Sequence, residues 1–358
     1  MKHERTRRSF PAKLLLLFAL ILLSVLSVLY LRHQRMLRKE ARFLQSRGYR
    51  YAAADGDYTL SYLESGNDAG KHRIVAISGL GVSDYSVQLR TLAAGLGEDS
   101  LLVCIDRAGY GLSGDTDTPQ TVQQIVNDYR AALKNANIEP PYILLPHAEG
   151  GVYATFWESM YPEETEGVFF LDGTCLSDVP PEAPAAAGCG KAAACLGIQR
   201  LEKYTLPAGY NATEQLSARM LRTRSAATSA QASERKLFPE NCRTSYSHIV
   251  QNAVPKAYLR ASSYRTAAEW LAADDWARTF RRMQEVSDAE RQQYSEQHAA
   301  QYQQLTELAE SYAAMLGNCE YFELPGDSFI HMQKPTQCSV LFSRFLTRIE
   351  NDNQSSQQ

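Results

Sequence analysis

The sequence predicts an α/β fold in which helices cover both faces of a mostly parallel sheet. Three observations support this prediction. Short apolar runs alternate along the chain with amphipathic segments of helical period. The runs at residues 101–105 and 142–145 carry almost no polar residues, as expected for strands buried on both faces of a parallel sheet. Several runs end in glycine-containing loops that lead into the next amphipathic segment.

The predicted elements follow one another in a regular order. Strands are expected at residues 58–63, 74–77, 101–105, 142–145, 168–171 and 321–324. Helices are expected at residues 85–96, 121–136, 150–160 and 335–349. No apolar run between residues 280 and 318 predicts a further strand, which leaves one edge of the sheet open.

Length, charge and cysteine spacing limit the function classes. The 358 residues are enough for one large domain with an appendage. The formal net charge of −3 and the lack of a long basic block in the globular part argue against a nucleic-acid partner. The seven cysteines show no metal-ligand spacing, so we expect structural thiols, at least one of them unpaired, and no metal or other cofactor.

The N-terminal region predicts a membrane anchor. An apolar run begins at Leu14 and ends at Leu31, and its length of about 18 residues just spans a bilayer. No small-residue cleavage site follows it, so a retained anchor that contacts the lipid bilayer is favoured over a cleaved signal. Basic residues flank both ends and leave the orientation open by charge alone. We expect a single-pass cell-membrane protein with an extracytoplasmic domain, as for an uncleaved signal anchor.

The composition divides the chain into consecutive segments. We expect a basic flank (1–13), the transmembrane anchor (14–31), a juxtamembrane linker (32–54), a first part of the α/β core (55–174), a mostly helical insertion (175–318), a last strand and final helix of the core (319–350) and a disordered polar tail (351–358).

One hexapeptide stands between a predicted strand and a predicted helix. It reads Pro146-His147-Ala148-Glu149-Gly150-Gly151. This is the context of a nucleophile elbow, a sharp turn that projects a catalytic side chain from the edge of the sheet. Ala148 occupies the position of the nucleophile, and a methyl group cannot form a covalent acyl intermediate. An ordinary connection between a strand and a helix is the alternative interpretation of this segment alone.

Two further glycine-containing loops extend the pattern. Ser78-Gly79-Leu80-Gly81 follows the strand at 74–77, and Asp106-Arg107-Ala108-Gly109-Tyr110-Gly111-Leu112-Ser113 follows the strand at 101–105. With these motifs, residues 58–174 and 319–349 resemble the α/β-hydrolase superfamily. The resemblance is greatest to bacterial members with an N-terminal membrane anchor, which often read PHS where this chain reads PHA. It implies the α/β-hydrolase fold, with the insertion as a helical cap domain.

The resemblance also implies the roles of individual positions. The backbone N–H groups of Leu80 and Glu149 would form the oxyanion hole. Alignment of the last loop on Phe329 and Pro335 places Ser328 at the position of the catalytic histidine, with His331 as an alternative base in a shifted register. Asp172, which follows the sixth strand, is the candidate acid. The alternative for Asp172 is a carboxylate that caps its own turn.

Three functions are compatible with these replacements. The favoured one is a pseudoenzyme, which keeps a pocket for an unknown small molecule or protein without turnover, because nucleophile and base are both replaced. The second is a non-enzymatic interaction module at the membrane. The third is an active, esterase-like hydrolase with a rearranged site, in which His147, His331 and Glu149 would have to activate water directly.

Overall fold

The computed structural model of the protein describes residues 9–96, 99–183, 190–207, 209–262 and 288–355, and these residues contain one eight-stranded sheet. The strands are β1 (Arg50–Ala53), β2 (Thr59–Gly66), β3 (His72–Ile77), β4 (Ser100–Ile105), β5 (Tyr142–Pro146), β6 (Thr165–Leu171), β7 (Lys256–Ser262) and β8 (Cys319–Pro325). Their spatial order is β1-β2-β4-β3-β5-β6-β7-β8. β2 is antiparallel to both β1 and β4, and all other pairs are parallel. The predicted fold class is confirmed.

Helices connect these strands and cover the sheet. They are α1 (Ser9–Ser46), α2 (Tyr85–Gln88), α3 (Arg90–Ala93), α4 (Val122–Asn135), α5 (Gly150–Met160), α6 (Lys191–Cys195), α7 (Ala212–Arg224), α8 (Ser229–Ser247), α9 (Asp288–Leu316), α10 (Ile330–Gln333) and α11 (Pro335–Ser355). The expected helix at 85–96 is therefore two short helices, α2 and α3. Thr121 caps α4, since its side chain accepts the N–H of Gln124.

Two apolar clusters lie on opposite faces of the sheet. Val75 and Ile77 of β3 pack with α4, α5, α8 and α9, whereas Ile74 and Ala76 pack with α2, α3 and α11. Successive side chains of a strand point to opposite faces, so a strand that is apolar throughout supplies both clusters. This explains why the central strands read as unbroken apolar runs.

β7 corrects the predicted segments. Residues 256–262 lie within the predicted, mostly helical insertion, but they form a strand that pairs with β6 and β8 in parallel register. Their apolar pattern is interrupted by Lys256 and Arg260, which are both buried. Each charge has an acidic partner, Glu158 at 3.0 Å from Lys256 and Glu323 at 3.6 Å from Arg260. The two charges hide the strand in the sequence, because the carboxylates that make their burial possible are distant in the chain.

Helix α1 continues far beyond the apolar run. It is long and apolar enough to cross a membrane, although a signal sequence near the N-terminus would satisfy the same criterion. Most of the predicted linker at 32–54 has regular structure, since α1 extends to Ser46 and β1 follows. The second half of α1 packs on the domain, where Leu44 is fully buried and Glu40 is 6% exposed. Arg200 holds Glu40 through two hydrogen bonds of 2.5 and 2.9 Å.

The C-terminal segment also differs from the prediction. Helix α11 continues to Ser355, so residues 351–355 of the expected disordered tail are helical, and residues 356–358 lie outside the described part. The side chains of Arg348 and Asp352 lie 3.9 Å apart, one helical turn from each other. Such a pair adds a small stabilisation to an exposed helix end and shows how a polar segment remains helical.

Candidate functional site

The connection between β5 and α5 has the geometry of a sharp, strained turn at the carboxyl edge of the sheet. Ala148 has a φ of +48°, in the left-handed region that residues with a side chain rarely adopt. Its N–H donates to the carbonyl of Leu171 at 3.2 Å. A Cβ atom on Gly150 would overlap the carbonyl oxygen of Ile77. The turn therefore needs glycine at 150, and it holds Ala148, which is partly buried, at the edge of the sheet.

The loop after β3 approaches this turn from the neighbouring strand. The N–H of Leu80 donates to Oε2 of Glu149 at 3.0 Å. A Cβ atom on Gly79 would lie only 2.8 Å from the same oxygen, so glycine permits this close approach. One of the two predicted oxyanion donors is thus already engaged by a carboxylate of the same chain. The resemblance implied a role for the backbone of Glu149 but did not predict this contact of its side chain.

The loop after β8 brings Ser328 against the same turn. Nε2 of His147 lies 2.6 Å from the carbonyl oxygen of Ser328, so this nitrogen carries the proton and donates. The His147 ring is 1% exposed, and burial lowers its pKa to about 4, although the bond to Ser328 opposes that shift. His147 is therefore a neutral group that ties two loops together, and its unprotonated Nδ1, which has no hydrogen-bond partner among the described residues, is buried away from solvent.

His331 lies in the core beneath these loops. Its side chain is fully buried, and Nε2 is 3.2 Å from Oε1 of Gln88. The ring contacts the rings of His147 and Tyr85, with centroids 4.7 and 5.5 Å away. Burial and the neighbouring His147 ring hold the pKa of His331 well below its ordinary value. A base in this position has no exposed surface through which to exchange a proton with a substrate.

Asp172 follows β6 in a second left-handed conformation, with a φ of +50°. Its Oδ1 accepts the N–H of Ala261 at 2.9 Å. Burial raises the pKa of Asp172 to about 6; the Ala261 N–H and the charge of Arg260 oppose this shift, whereas the carboxylates of Asp327 and Glu149 add to it. Asp172 thus binds the backbone of β7 near the end of that strand, a contact with a distant segment and not with its own turn.

The site is consequently rich in carboxylates and lacks a nucleophile at the turn. The structure brings the loops that carry Leu80, Ser328 and Asp172 to the turn at Ala148. Negative charge on Glu149 and Asp172 disfavours the binding of an anion or the formation of an oxyanion there. No group of three His, Cys, Asp or Glu side chains among the described residues is arranged to hold a metal ion.

A buried charged network supports the site from below, and sequence analysis missed its key member. Glu234 of α8 is 2% exposed and lies 2.7 Å from Nε of Arg107. Its two oxygens also accept hydrogen bonds of 2.6 Å from the hydroxyls of Tyr110 and Tyr153. The Asp106–Ser113 run contains Arg107 and Tyr110, but nothing in the local sequence around Glu234 indicates a partner more than a hundred residues away.

The same network positions the loop after β3. Arg107 donates to the carbonyl oxygens of Ser78 and Gly79 at 2.6 and 3.0 Å. Asp106, at the start of its loop, accepts the hydroxyl of Ser61 through Oδ2 at 2.7 Å. The geometry of the candidate oxyanion loop therefore depends on a contact between the core and α8.

Comparisons with known proteins agree with this architecture. No family model matches the chain. An uncharacterized protein of Bacillus subtilis, YbdG, is 31% identical over 156 residues, which are 44% of this chain and 46% of that protein. The chain thus spans less than half the length of this curated relative.

Solved structures match over most of the chain. The enol-lactonase from Burkholderia xenovorans aligns with 83% of this chain and 100% of its own, at 16% identity and a TM-score of 0.54. A haloalkane dehalogenase from Bradyrhizobium elkani aligns with 85% of this chain and 99% of its own, at 14% identity and a TM-score of 0.53. At this identity the likeness concerns the fold alone. Sheet order, strand-to-helix turn and structural matches together show that the chain has the α/β-hydrolase fold.

Proposed function

We propose that this chain is a membrane-anchored pseudoenzyme of the α/β-hydrolase fold, which keeps a binding site for a small molecule or a protein around Ala148. The observation that carries the proposal is the methyl group of Ala148 at the strained strand-to-helix turn. Serine-type hydrolysis needs an oxygen nucleophile at that position and a base in hydrogen-bond reach. Neither Ala148 nor the buried, neutral imidazoles of His147 and His331 meets this requirement.

The contact between Glu149 and Leu80 supports the same conclusion independently. Acyl transfer places a developing negative charge on the oxyanion donors, and their value depends on their being free to receive it. Here the Leu80 N–H already binds a carboxylate, which would also repel an oxyanion. An active hydrolase with a rearranged site would have to displace this side chain before each turnover.

Membrane anchoring is supported by how α1 leaves the domain. The side chains from Ala12 to Leu31 do not pack on the domain, whereas His33 is 4% exposed and is contacted by Nε of Arg200 at 3.1 Å. The apolar segment is therefore a direct helical continuation of a docked segment, and no small-residue cleavage site follows Leu31. We expect the domain to face away from the cytoplasm.

The decisive experiment is labelling of the purified full chain with a fluorophosphonate probe. We expect no labelling and no serine-type ester hydrolysis, because Ala148 has no oxygen to react. Stoichiometric labelling at a residue next to Ala148 would refute the proposal. An inactivated scaffold should also be restorable, so Ala148→Ser with Ser328→His and Glu149→Ala should recover labelling. Each single substitution should recover little, because triad members act as a unit.

The location is tested separately. Full-length chain that starts at Met1 and stays in the membrane fraction after washing supports the anchor, and recovery of that same full-length chain in the soluble fraction contradicts it. Protease treatment of intact cells then decides which side of the membrane the domain occupies.

A further inference from the structure

A cavity of about 600 Å³ lies between α1 and the helices of the insertion, away from Ala148. Its walls include Met36 and Glu40 of α1 and side chains of α7 and α8. Gly81 and Ser83, in the loop after β3, form another wall. The cavity therefore adjoins the same loop whose Leu80 N–H binds Glu149 in the candidate site.

The lining of this cavity is strongly basic. Two acidic residues, Glu40 and Glu202, face five basic ones, which are Lys191, Arg200, Arg219, Arg222 and Arg235. We refer to it as the basic cavity. Natural proteins use such groups of arginines to bind carboxylate or phosphate, because the guanidinium fork matches the geometry of their oxygens.

Two of the five basic side chains lie close to carboxylates of the protein, and two others have no polar partner among the described residues. Arg200 is paired with Glu40, and Arg222 lies 3.7 Å from the buried carboxylate of Asp84. Arg219 and Arg235 form no hydrogen bond or ion pair with any described residue. Nε of Arg235 is moreover buried without an acceptor, which is costly for a charged group and leaves it suited to an anion.

The position of the basic cavity relative to the anchor favours a ligand at the membrane surface. At 1.5 Å per residue, Met36 lies about 7 Å along α1 beyond Leu31, which corresponds to the depth of the lipid headgroup layer. The 3-10 turn Ile198–Leu201 packs beside His33, and Leu201 exposes 79% of its surface. An exposed apolar side chain next to the end of the span suits contact with the bilayer interface.

We propose that the basic cavity binds a phosphate-bearing anion, presented by the headgroup of an anionic membrane lipid. Arg219 and Arg235 would hold the phosphate, and the apolar Met36, Leu216 and Met220 in the same lining would contact the glycerol and first methylenes. The lipid source rests on the proposed membrane anchoring, whereas the anion site rests only on the cavity and its charges. A soluble phosphate has the same chemistry and is the alternative source.

The test uses the full chain in detergent. Native mass spectrometry would record bound phosphatidylglycerol against phosphatidylcholine, and titration calorimetry would measure binding of inorganic phosphate. Arg219→Gln with Arg235→Gln should reduce phosphatidylglycerol binding about tenfold or more, since each charge-assisted hydrogen bond contributes substantially. Arg243→Gln is the matched control, because Arg243 is an exposed arginine of the same α8 that pairs with Glu240 outside the cavity.

The outcomes are distinct. Preferential binding of phosphatidylglycerol that the cavity variant loses and the control keeps supports the lipid site. Binding of inorganic phosphate with the same pattern, without lipid preference, keeps the anion site and replaces the lipid by a soluble phosphate. Equal binding by the cavity variant and the unaltered chain, or no binding of either ligand, overturns the proposal. If the double variant does not fold, Arg219→Gln alone, which changes an exposed side chain of the cavity, should still weaken binding of either ligand relative to Arg243→Gln, and equal binding by these two variants overturns the proposal. Failure of the anchor would appear only in fractionation and leaves the phosphate titration valid.

Discussion

Replacement of Glu234 by alanine should destabilise the domain more than any exposed substitution, because it leaves a buried arginine without its counter-charge. Arg107 is 2% exposed, and Glu234 is its carboxylate partner at 2.7 Å. The carbonyl oxygens of Ser78 and Gly79 would still accept hydrogen bonds from the guanidinium, but they carry no full negative charge. The hydroxyls of Tyr110 and Tyr153 would lose their acceptor at the same time.

The size of the effect follows from this burial. Removal of one partner of a buried ion pair costs about 3–5 kcal/mol, because the other charge stays desolvated. We therefore expect Glu234→Ala to lower the free energy of unfolding by about that amount. Glu240→Ala, on the same helix, removes an exposed pair with Arg243 and should change it by less than about 1 kcal/mol.

Urea unfolding of the detergent-solubilised full chain, followed by tryptophan fluorescence, measures both variants. Glu234→Gln keeps the length of the side chain and an acceptor for one tyrosine. Its free energy of unfolding should therefore lie between those of Glu234→Ala and Glu240→Ala. If Glu234→Ala unfolds at the same urea concentration as Glu240→Ala, the buried pair does not stabilise the contact between α8 and the core. The account of how the loop after β3 is positioned would then be wrong.

Three further predictions follow from single contacts. Gly150→Ala should destabilise the domain by about 1–3 kcal/mol or more in urea unfolding, since its Cβ would overlap the carbonyl of Ile77. Asp172→Asn should gain stability relative to the unaltered chain as pH rises from 3.8 to about 6, because in this range the unfolded chain releases a proton that the folded carboxyl still holds. Thermal unfolding measured against pH gives this difference in stability, and the partial exposure of Asp172 reduces its size. Glu40→Ala should free the second half of α1 from Arg200 and increase trypsin cleavage between residues 32 and 42.

Each of these has a matched control. A Cβ atom at Gly190 would meet no atom within 4 Å, so Gly190→Ala should be neutral where Gly150→Ala is not. Asp115→Asn is the control for Asp172→Asn, and it should leave the pH dependence of thermal unfolding unchanged. Glu64→Ala breaks an exposed pair with Arg50 and should leave trypsin cleavage of α1 unchanged. An equal response of variant and control would contradict the corresponding prediction.

Local patterns in the sequence were sufficient for much of the core. The central strands are apolar on both faces, and α4 repeats its apolar residues at helical spacing, so their burial is encoded within a few adjacent residues. The turn at Ala148 was also predictable, because its type depends on a strand, a helix and a glycine that follow one another directly. For the same reason, the alanine at this turn could be recognised without coordinates.

The tertiary structure alone decided the features that depend on contacts between distant segments. β7 carries Lys256 and Arg260 and has no strand-like apolar pattern, and its burial is compatible with these charges only because Glu158 and Glu323 neutralise them. The engagement of Leu80 by Glu149 and the convergence of arginines in the basic cavity likewise have no local signature. Periodicity records which face of an element is buried, whereas the pairing of charges across the fold is determined by the packing of elements far apart in the chain.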